Sequence, residues 1–159
     1  MERSYPTHLL IRFSDNLFSA GDVISLHQQV IEQKGVVWFG KLGTPIAQRH
    51  IEAINIQTQN KNPSFLFLVK GNRRKSTFYR ANIEMLSSAL PKNEKDLIPP
   101  YYFKLKIAKH MKFWAKLSDI KSITESEMQK IQVVGSVLEI GETLARSSSG
   151  HFVVREITK

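Results

Sequence analysis

The sequence contains no cysteine, which excludes disulfide bonds, thiolate nucleophiles and cysteine metal ligands. It also has no Walker-type phosphate loop and no nucleophile elbow. Its carboxylates form no local cluster of the kind that holds magnesium. The histidines lack the short spacing of zinc-binding motifs; they are His8, His27, His50, His110 and His151. We therefore expect no enzyme activity, no cofactor and no metal.

Long apolar runs are absent as well. No stretch approaches the roughly 18 residues that a membrane-spanning helix needs, and "MERSYPTHLL" does not resemble a signal peptide. With 159 residues and 42% hydrophobic content, the chain is predicted to be one globular domain over residues 1–159, which a longer protein could contain as a module. We expect a cytoplasmic protein with no membrane partner.

Acidic residues are scarce, since 14 Asp and Glu stand against 23 Lys and Arg, a net charge of +9. The excess is concentrated in two regions. Residues 61–80 contain six basic residues and no acid, and residues 104–121 contain six lysines and one aspartate. Such a charge distribution favours a polyanionic partner such as nucleic acid.

Strand and helix patterns alternate along the chain and predict an α+β fold. A helix is expected from a cap at Ser19 to Gly35, and a second one is expected to open at Thr44 and Pro45. "SFLFLVKG" and "STFYRANIEML" flank the turn "GNRRK" and predict a hairpin. "SITESEMQK" indicates a short helix, and "SVLEIGETLARSSSG" fits helix or strand. The other predicted strands are "HLLIRFS", "VVWFGK", "MKFWAKLSDI" and "HFVVREI".

The order of "LLIRFSDN", a helix and then "VVWF" resembles the start of the YTH and EVE domains, modified-base readers of the PUA-like superfamily. This resemblance implies a PUA-like curved sheet or open barrel with flanking helices. It implies that Trp38 is the first wall of an aromatic cage, with Phe39 beside it. It also implies that Asn16 or its neighbour Asp15, in the loop that begins at Ser14, contacts the base. On the residues alone, Trp38 could instead be a core aromatic and Asn16 a turn former.

The resemblance continues over roughly residues 8–123. "FLFLVKGNRRKSTFYRANI" is similar to the family's hairpin, and "KFWAKLSDI" is similar to a later strand. A second cage aromatic is expected in "IPPYYFKLKIAKHM", which supplies Tyr101 and Tyr102, with Trp114 as the next choice or as a core residue. The expected phosphate contacts are Lys41, Arg73, Arg74, Lys75, Lys109 and Lys112.

These observations predict a non-catalytic module that binds a modified, methylated base of nucleic acid by flipping it into the cage. Modified DNA is favoured and RNA stays an alternative. The resemblance extends to N-terminal readers of modification-dependent restriction systems, which implies a motor or nuclease subunit as a further partner. Two other readings stay open: a protein-interaction or small-ligand module with a basic surface, and a small hydrolase of modified nucleotides.

Overall fold

The computed structural model describes residues 6–14, 22–72 and 75–157, and of residues 72 and 75 only the backbone. These residues form seven strands and five helices. The strands are β1 (His8–Phe13), β2 (Val37–Lys41), β3 (Phe65–Asn72), β4 (Lys75–Ser87), β5 (Phe113–Ile123), β6 (Ile131–Val133) and β7 (His151–Glu156). The helices are α1 (Val23–Lys34), α2 (Gln48–Gln59), α3 (Tyr101–Lys104), α4 (Glu125–Met128) and α5 (Ile140–Arg146), and 3-10 turns cover Lys92–Leu97 and Ala108–His110.

The strands form one mixed sheet in the order β2-β5-β4-β3-β1-β7-β6. β1 and β3 are parallel, and each of the other paired strands is antiparallel. The parallel pair needs a long crossover, which α1, β2 and α2 supply. The hairpin of β3 and β4 confirms the prediction from the two strand patterns. The architecture is therefore α+β, as expected.

The sheet is open and curved. β2 is an edge strand, and β5, β4, β3 and β1 separate it from β7 in the sheet. Even so, Lys41 at the end of β2 reaches Gly150 just before β7, where an added Cβ atom would lie 3.0 Å from Lys41 Nζ. The two sides of the sheet therefore approach each other at this end.

The largest hydrophobic cluster lies on one face of the sheet. Successive residues of a strand point to opposite faces, so every second residue contributes. This cluster also takes side chains from α1 and α2. Its members include Leu9, Ile11, Val23, Ile24, Val37, Phe39, Ile51, Ile54, Leu66, Leu68, Ile83, Phe113 and Leu117.

Two smaller clusters lie on the opposite face. One joins Leu10, Phe67 and Val154 to Met128 of α4 and Ile140 of α5. The other joins β2 and β5 to the segment that contains α3. Its buried members are Trp38, Ile98, Tyr102, Ile107, Ala108 and Trp114.

Both ends of α1 have local causes. The Asp22 carboxylate accepts a hydrogen bond from the Ser25 backbone N–H at 3.2 Å, so Asp22 is the cap. The predicted cap, Ser19, lies outside the described residues. Gly35 ends the helix with a φ of 87°, in the left-handed region that favours glycine, which confirms the predicted end.

Other predicted boundaries were only partly right. α2 begins at Gln48, later than the Thr44–Pro45 start. The predicted short helix is α4, and the ambiguous segment after it contains the helix α5. Neither β6 nor α3 was predicted, since both are very short.

Candidate functional site

A cavity of about 290 Å³ opens where the ends of β1 and β2 meet α3. Its lining is mainly apolar and aromatic, with a few polar groups, which is typical of a small-molecule or base site. β1 and the residue after it contribute Arg12, Phe13 and Ser14, and α1 contributes Val23. β2 and the residue after it contribute Phe39, Gly40, Lys41 and Leu42, and the remaining lining residues are Tyr101, Tyr102 and Met111. We refer to this cavity as the main pocket.

A buried hydrogen-bond network supports the floor of the main pocket. His27 on α1 donates through Nδ1 to the Val23 carbonyl at 2.7 Å, because a carbonyl oxygen can only accept. Its Nε2 is therefore an acceptor, and the Tyr102 hydroxyl donates to it at 2.9 Å. The backbone N–H of Gly40 donates to the same hydroxyl oxygen at 3.0 Å. α1, β2 and α3 are thus joined through one tyrosine oxygen.

The network holds its groups in their neutral forms. Burial lowers the pKa of His27 to about 4, so the imidazole is uncharged at neutral pH. Burial also raises the pKa of the Tyr102 hydroxyl well above its ordinary value. Because both groups are satisfied and neutral, they fix the pocket floor without placing a charge beneath a ligand.

Aromatic rings form the walls. The Phe39 ring stacks on the His27 ring with centroids 4.4 Å apart, and Tyr101 stacks on Tyr102 with centroids 4.3 Å apart. Phe13 meets Phe39 edge-on at 6.2 Å. Such rings offer flat apolar surfaces, and base stacking on them contributes about 1–3 kcal/mol per base.

Gly40 allows β2 and the α3 segment to approach closely. A Cβ atom at this position would lie 2.7 Å from Met111 Cγ and 2.9 Å from the Trp114 ring, closer than real side chains pack. Only glycine fits there without a shift of these neighbours. Gly40 therefore lets β2 pack closely against Met111 and Trp114.

The polar part of the pocket is cationic. Lys41 is half-buried, and burial lowers the pKa of its ammonium group. Arg12 lines the pocket too, but its guanidinium donates to the Leu144 carbonyl and lies 5.8 Å over the Phe152 ring. Lys41 is therefore the cation available at the pocket itself.

The structure brings together five of the predicted base- and phosphate-contacting residues. Ser14, Phe39, Lys41, Tyr101 and Tyr102 all line the main pocket. They come from three separate parts of the chain, and the curvature of the sheet places them side by side.

The two tryptophans require a correction. Trp38 and Trp114 are each only 1% exposed and pack with the α3 segment, and neither is among the residues that line the main pocket. The two indole rings therefore present no surface to the main pocket, unlike the equally buried Tyr102. Because neighbouring residues of a strand point in opposite directions, Phe39 faces the pocket where Trp38 was expected.

The predicted basic contacts fall in different places. Lys109 and Lys112 are exposed on the segment after α3, and the backbone N–H of Lys112 donates to the Lys41 carbonyl at 2.7 Å. Both flank Met111, which lines the pocket. Asp15, Asn16, Arg73 and Arg74 lie outside the described residues, as does the side chain of Lys75.

The site residues that were not predicted include His27, Phe13 and Met111. His27 lies four residues after Val23 and four before Ile31 on the apolar face of α1, so its helical position was a usable signal. Phe13 and Met111 had no comparable signal, because their roles depend on which strand ends meet. Helix periodicity can identify a buried polar residue from the sequence. The lining of a pocket between distant segments can be identified only once the three-dimensional structure is known.

Other classes of site find no support in the described ranges. Within residues 6–14, 22–72 and 75–157, no group of three His, Asp or Glu side chains is placed to hold a metal ion. No helix in the described part of the chain is long and apolar enough to cross a membrane.

The described residues thus form an open α+β sheet with an aromatic-lined pocket where the ends of β1 and β2 meet α3. The Pua-like family model matches residues 9–143, and the chain belongs to this family. Membership indicates a nucleic-acid or modified-base binding module, and domains of this family are generally non-catalytic. No curated protein and no solved structure matches the chain.

Proposed function

We propose that the protein is a non-catalytic reader that binds one modified base of a nucleic acid in the main pocket. The observation that carries this proposal is the pocket itself. It pairs aromatic walls, formed by Phe39 and the stacked Tyr101 and Tyr102, with a cation at its edge. Family membership independently points to nucleic acid or a modified base.

The size of the pocket favours a single base. About 290 Å³ lies at the lower limit of the roughly 300–1,000 Å³ seen for small-molecule sites, which leaves little room for a dinucleotide. A base inside a duplex is stacked on both faces, so it must leave the stack to enter. The ligand is therefore an extruded base or a base of a single strand.

The apolar lining favours a base with an added methyl group. Burying one methyl contributes only about 0.8 kcal/mol by transfer from water, so selectivity also needs close packing around it. Phe13, Phe39 and Met111 supply such packing beside the tyrosine pair. Polar contacts to the base edge are assigned to Ser14 and to the loop that contains Asp15 and Asn16.

The basic surface supplies sequence-independent affinity. Residues 97–118 contain no acid, and the exposed side chains of this segment include Lys104, Lys106, Lys109 and Lys112. Each neutralised phosphate releases counterions, which makes affinity fall steeply with salt. The turn with Arg73, Arg74 and Lys75 is a further phosphate contact in this proposal. Modified DNA is the favoured ligand, and the cytoplasm is the expected location.

We also propose, from the resemblance to readers of restriction systems, that the domain works with a motor or nuclease subunit that acts on the DNA it detects. A pull-down on modified and unmodified DNA with that subunit present tests this part separately from base recognition.

A binding panel tests the main proposal. Otherwise identical DNA and RNA oligonucleotides, single- and double-stranded, each carry one modified base and are titrated at several salt concentrations. We expect selective binding to one modification and a steep fall in affinity with salt. Equal affinity for all strands would contradict base reading. Tight, salt-insensitive binding of a free small ligand would indicate a small-ligand module, and turnover of a modified nucleotide would indicate a hydrolase.

A further inference from the structure

Beside Lys41, the edge of the main pocket carries two histidine side chains that the base-reading proposal does not use. Lys41 at the end of β2 extends towards Gly150, and its Nζ occupies the space a Cβ atom at Gly150 would enter, at 3.0 Å. His151 is the next residue, and it begins β7. The ring of His151 lies edge-on against Phe113 at 5.8 Å, and Phe113 is the cross-strand partner of Lys41.

His50 lies in the first turn of α2, and it acts electrostatically on His151. His151 is partly buried, which lowers its pKa, and the nearby charges of Lys41 and His50 lower it further. Three basic side chains from three elements therefore lie near one another beside an apolar pocket.

No carboxylate balances this group in the described part of the chain. None of the described ion pairs includes Lys41, His50 or His151. The Lys41 ammonium is half-buried, which disfavours its charged form, and an anion bound beside it would offset that cost.

We infer that Lys41, His50 and His151 form a subsite for one phosphodiester of the strand whose base occupies the main pocket. This inference rests on the proposed function. Lys41 lines the pocket and also reaches Gly150, so one lysine connects the base site to the phosphate site. The ligand is then held at two points, by its base between the rings and by its backbone at the three basic side chains.

Gly150 has a defined part in this arrangement. Its missing side chain leaves the space that the Lys41 ammonium fills. Gly150→Ala should displace the ammonium while keeping the charge of the protein unchanged. The variant therefore separates the position of Lys41 from its charge.

A neutral-linkage experiment tests the subsite. Oligonucleotides that carry the preferred modified base receive one uncharged methylphosphonate, either 5′ or 3′ of that base. In the wild-type protein one of the two replacements should weaken binding about tenfold, the loss of one charge-assisted hydrogen bond. In Lys41→Gln the same replacement should cause almost no further loss, because the contact is already absent. In His151→Gln the same replacement should cause a smaller further loss than in the wild type, but a larger one than in Lys41→Gln.

Lys130→Gln is the matched control. Lys130 is an exposed lysine that lines a separate cavity with Phe67, whose side chain is on the other sheet face. Its removal lowers the net charge by the same amount, and we expect the methylphosphonate effect to remain about tenfold in this variant. Gly150→Ala should show a methylphosphonate effect between those of the wild type and Lys41→Gln, because the ammonium is moved but not removed.

The outcomes separate the two proposals. The phosphate subsite would be overturned if, in Lys41→Gln, the methylphosphonate 5′ or 3′ of the base weakened binding as much as it does in the wild type. Discrimination between modified and unmodified strands would in that case still support the reader. Absence of discrimination in the wild type would overturn the reader itself. Competition with the modified nucleoside monophosphate distinguishes the source of the phosphate. Displacement at micromolar concentration would assign the subsite to a free nucleotide and contradict a strand, whereas a need for millimolar concentration supports a strand.

Discussion

At the scale of single residues, Trp38 and Tyr101 have opposite roles. Trp38 is buried and, among the described residues, its indole Nε1 has no hydrogen-bond partner. Tyr101 is only partly buried and lines the pocket. Trp38, which was predicted as the first cage wall, is thus a core residue, whereas Tyr101 lines the main pocket.

Alanine substitution of these two residues should separate stability from binding. Trp38→Ala should lower the free energy of unfolding by about 3–5 kcal/mol, as expected when a buried large aromatic is deleted. Tyr101→Ala should cost less stability but about 1–3 kcal/mol of binding to the modified strand. Denaturant unfolding and titration of both variants check this. A stable Trp38→Ala protein that has lost base discrimination would contradict the assignment.

His27 makes stability depend on pH. Its pKa is about 4 in the folded protein and 6.5 in the unfolded chain, because burial disfavours the charged form. The unfolded state therefore binds the proton first as pH falls. The stabilisation is fully present above pH 6.5 and is lost as pH falls to about 4, by about 3 kcal/mol in total.

Urea unfolding between pH 4 and pH 7.5 measures this dependence. His27→Gln should show a clearly shallower loss of stability in acid than the wild type. Burial also lowers the pKa of His8 and His151, so a residual slope of the same sign should remain. An unchanged slope in His27→Gln would contradict a neutral, buried His27.

At the scale of the elements, the contact between β2 and the α3 segment depends on Gly40. Gly40→Ala places a methyl group against Met111 and Trp114, so we expect a loss of about 1–3 kcal/mol in unfolding free energy from overpacking. Gly141→Ala in α5 is the control, since an added Cβ there meets nothing within 4 Å. It should be neutral or stabilise by about 0.4–1 kcal/mol. Equal effects in the two variants would show that β2 has room to adjust.

Local sequence patterns predicted the individual helices and strands better than they predicted which strands pair in the sheet. The hairpin of β3 and β4 was predictable because two apolar strands flank a charged turn, and Gly35 was predictable as the end of α1. The parallel pairing of β1 with β3 was not, because it joins segments more than fifty residues apart. Short-range periodicity carries no information about such pairings.

The candidate site, too, could be predicted only in part from the sequence. Tyr101, Tyr102 and Ser14 were predicted through the resemblance to the YTH and EVE domains, and all three line the main pocket. The choice between Trp38 and Phe39 depends on which side of β2 faces the pocket, and both neighbours are apolar and buried. The sequence pattern of so short a strand does not distinguish its two faces.

At the scale of the whole molecule, the charge and the pocket lie close together. The net charge is +9, and the acid-free segment 97–118 includes both the pocket residues Tyr101 and Met111 and the exposed lysines between them. A strand held along these lysines would bring its bases to the pocket mouth. In this proposal the pocket alone recognises the base, and the surrounding lysines attract the backbone of any strand.

Amide NMR of the labelled protein with saturating modified and unmodified oligonucleotides tests the central claim most directly. We predict that the two spectra differ at Ser14, Gly40, Lys41 and Met111, which line the pocket, and agree at the exposed Gly135 on the turn after β6. Backbone attraction alone would shift the lysine-rich segment equally with both strands. If the modified strand produces no additional change at the pocket residues, the main pocket does not hold the base and the account is wrong.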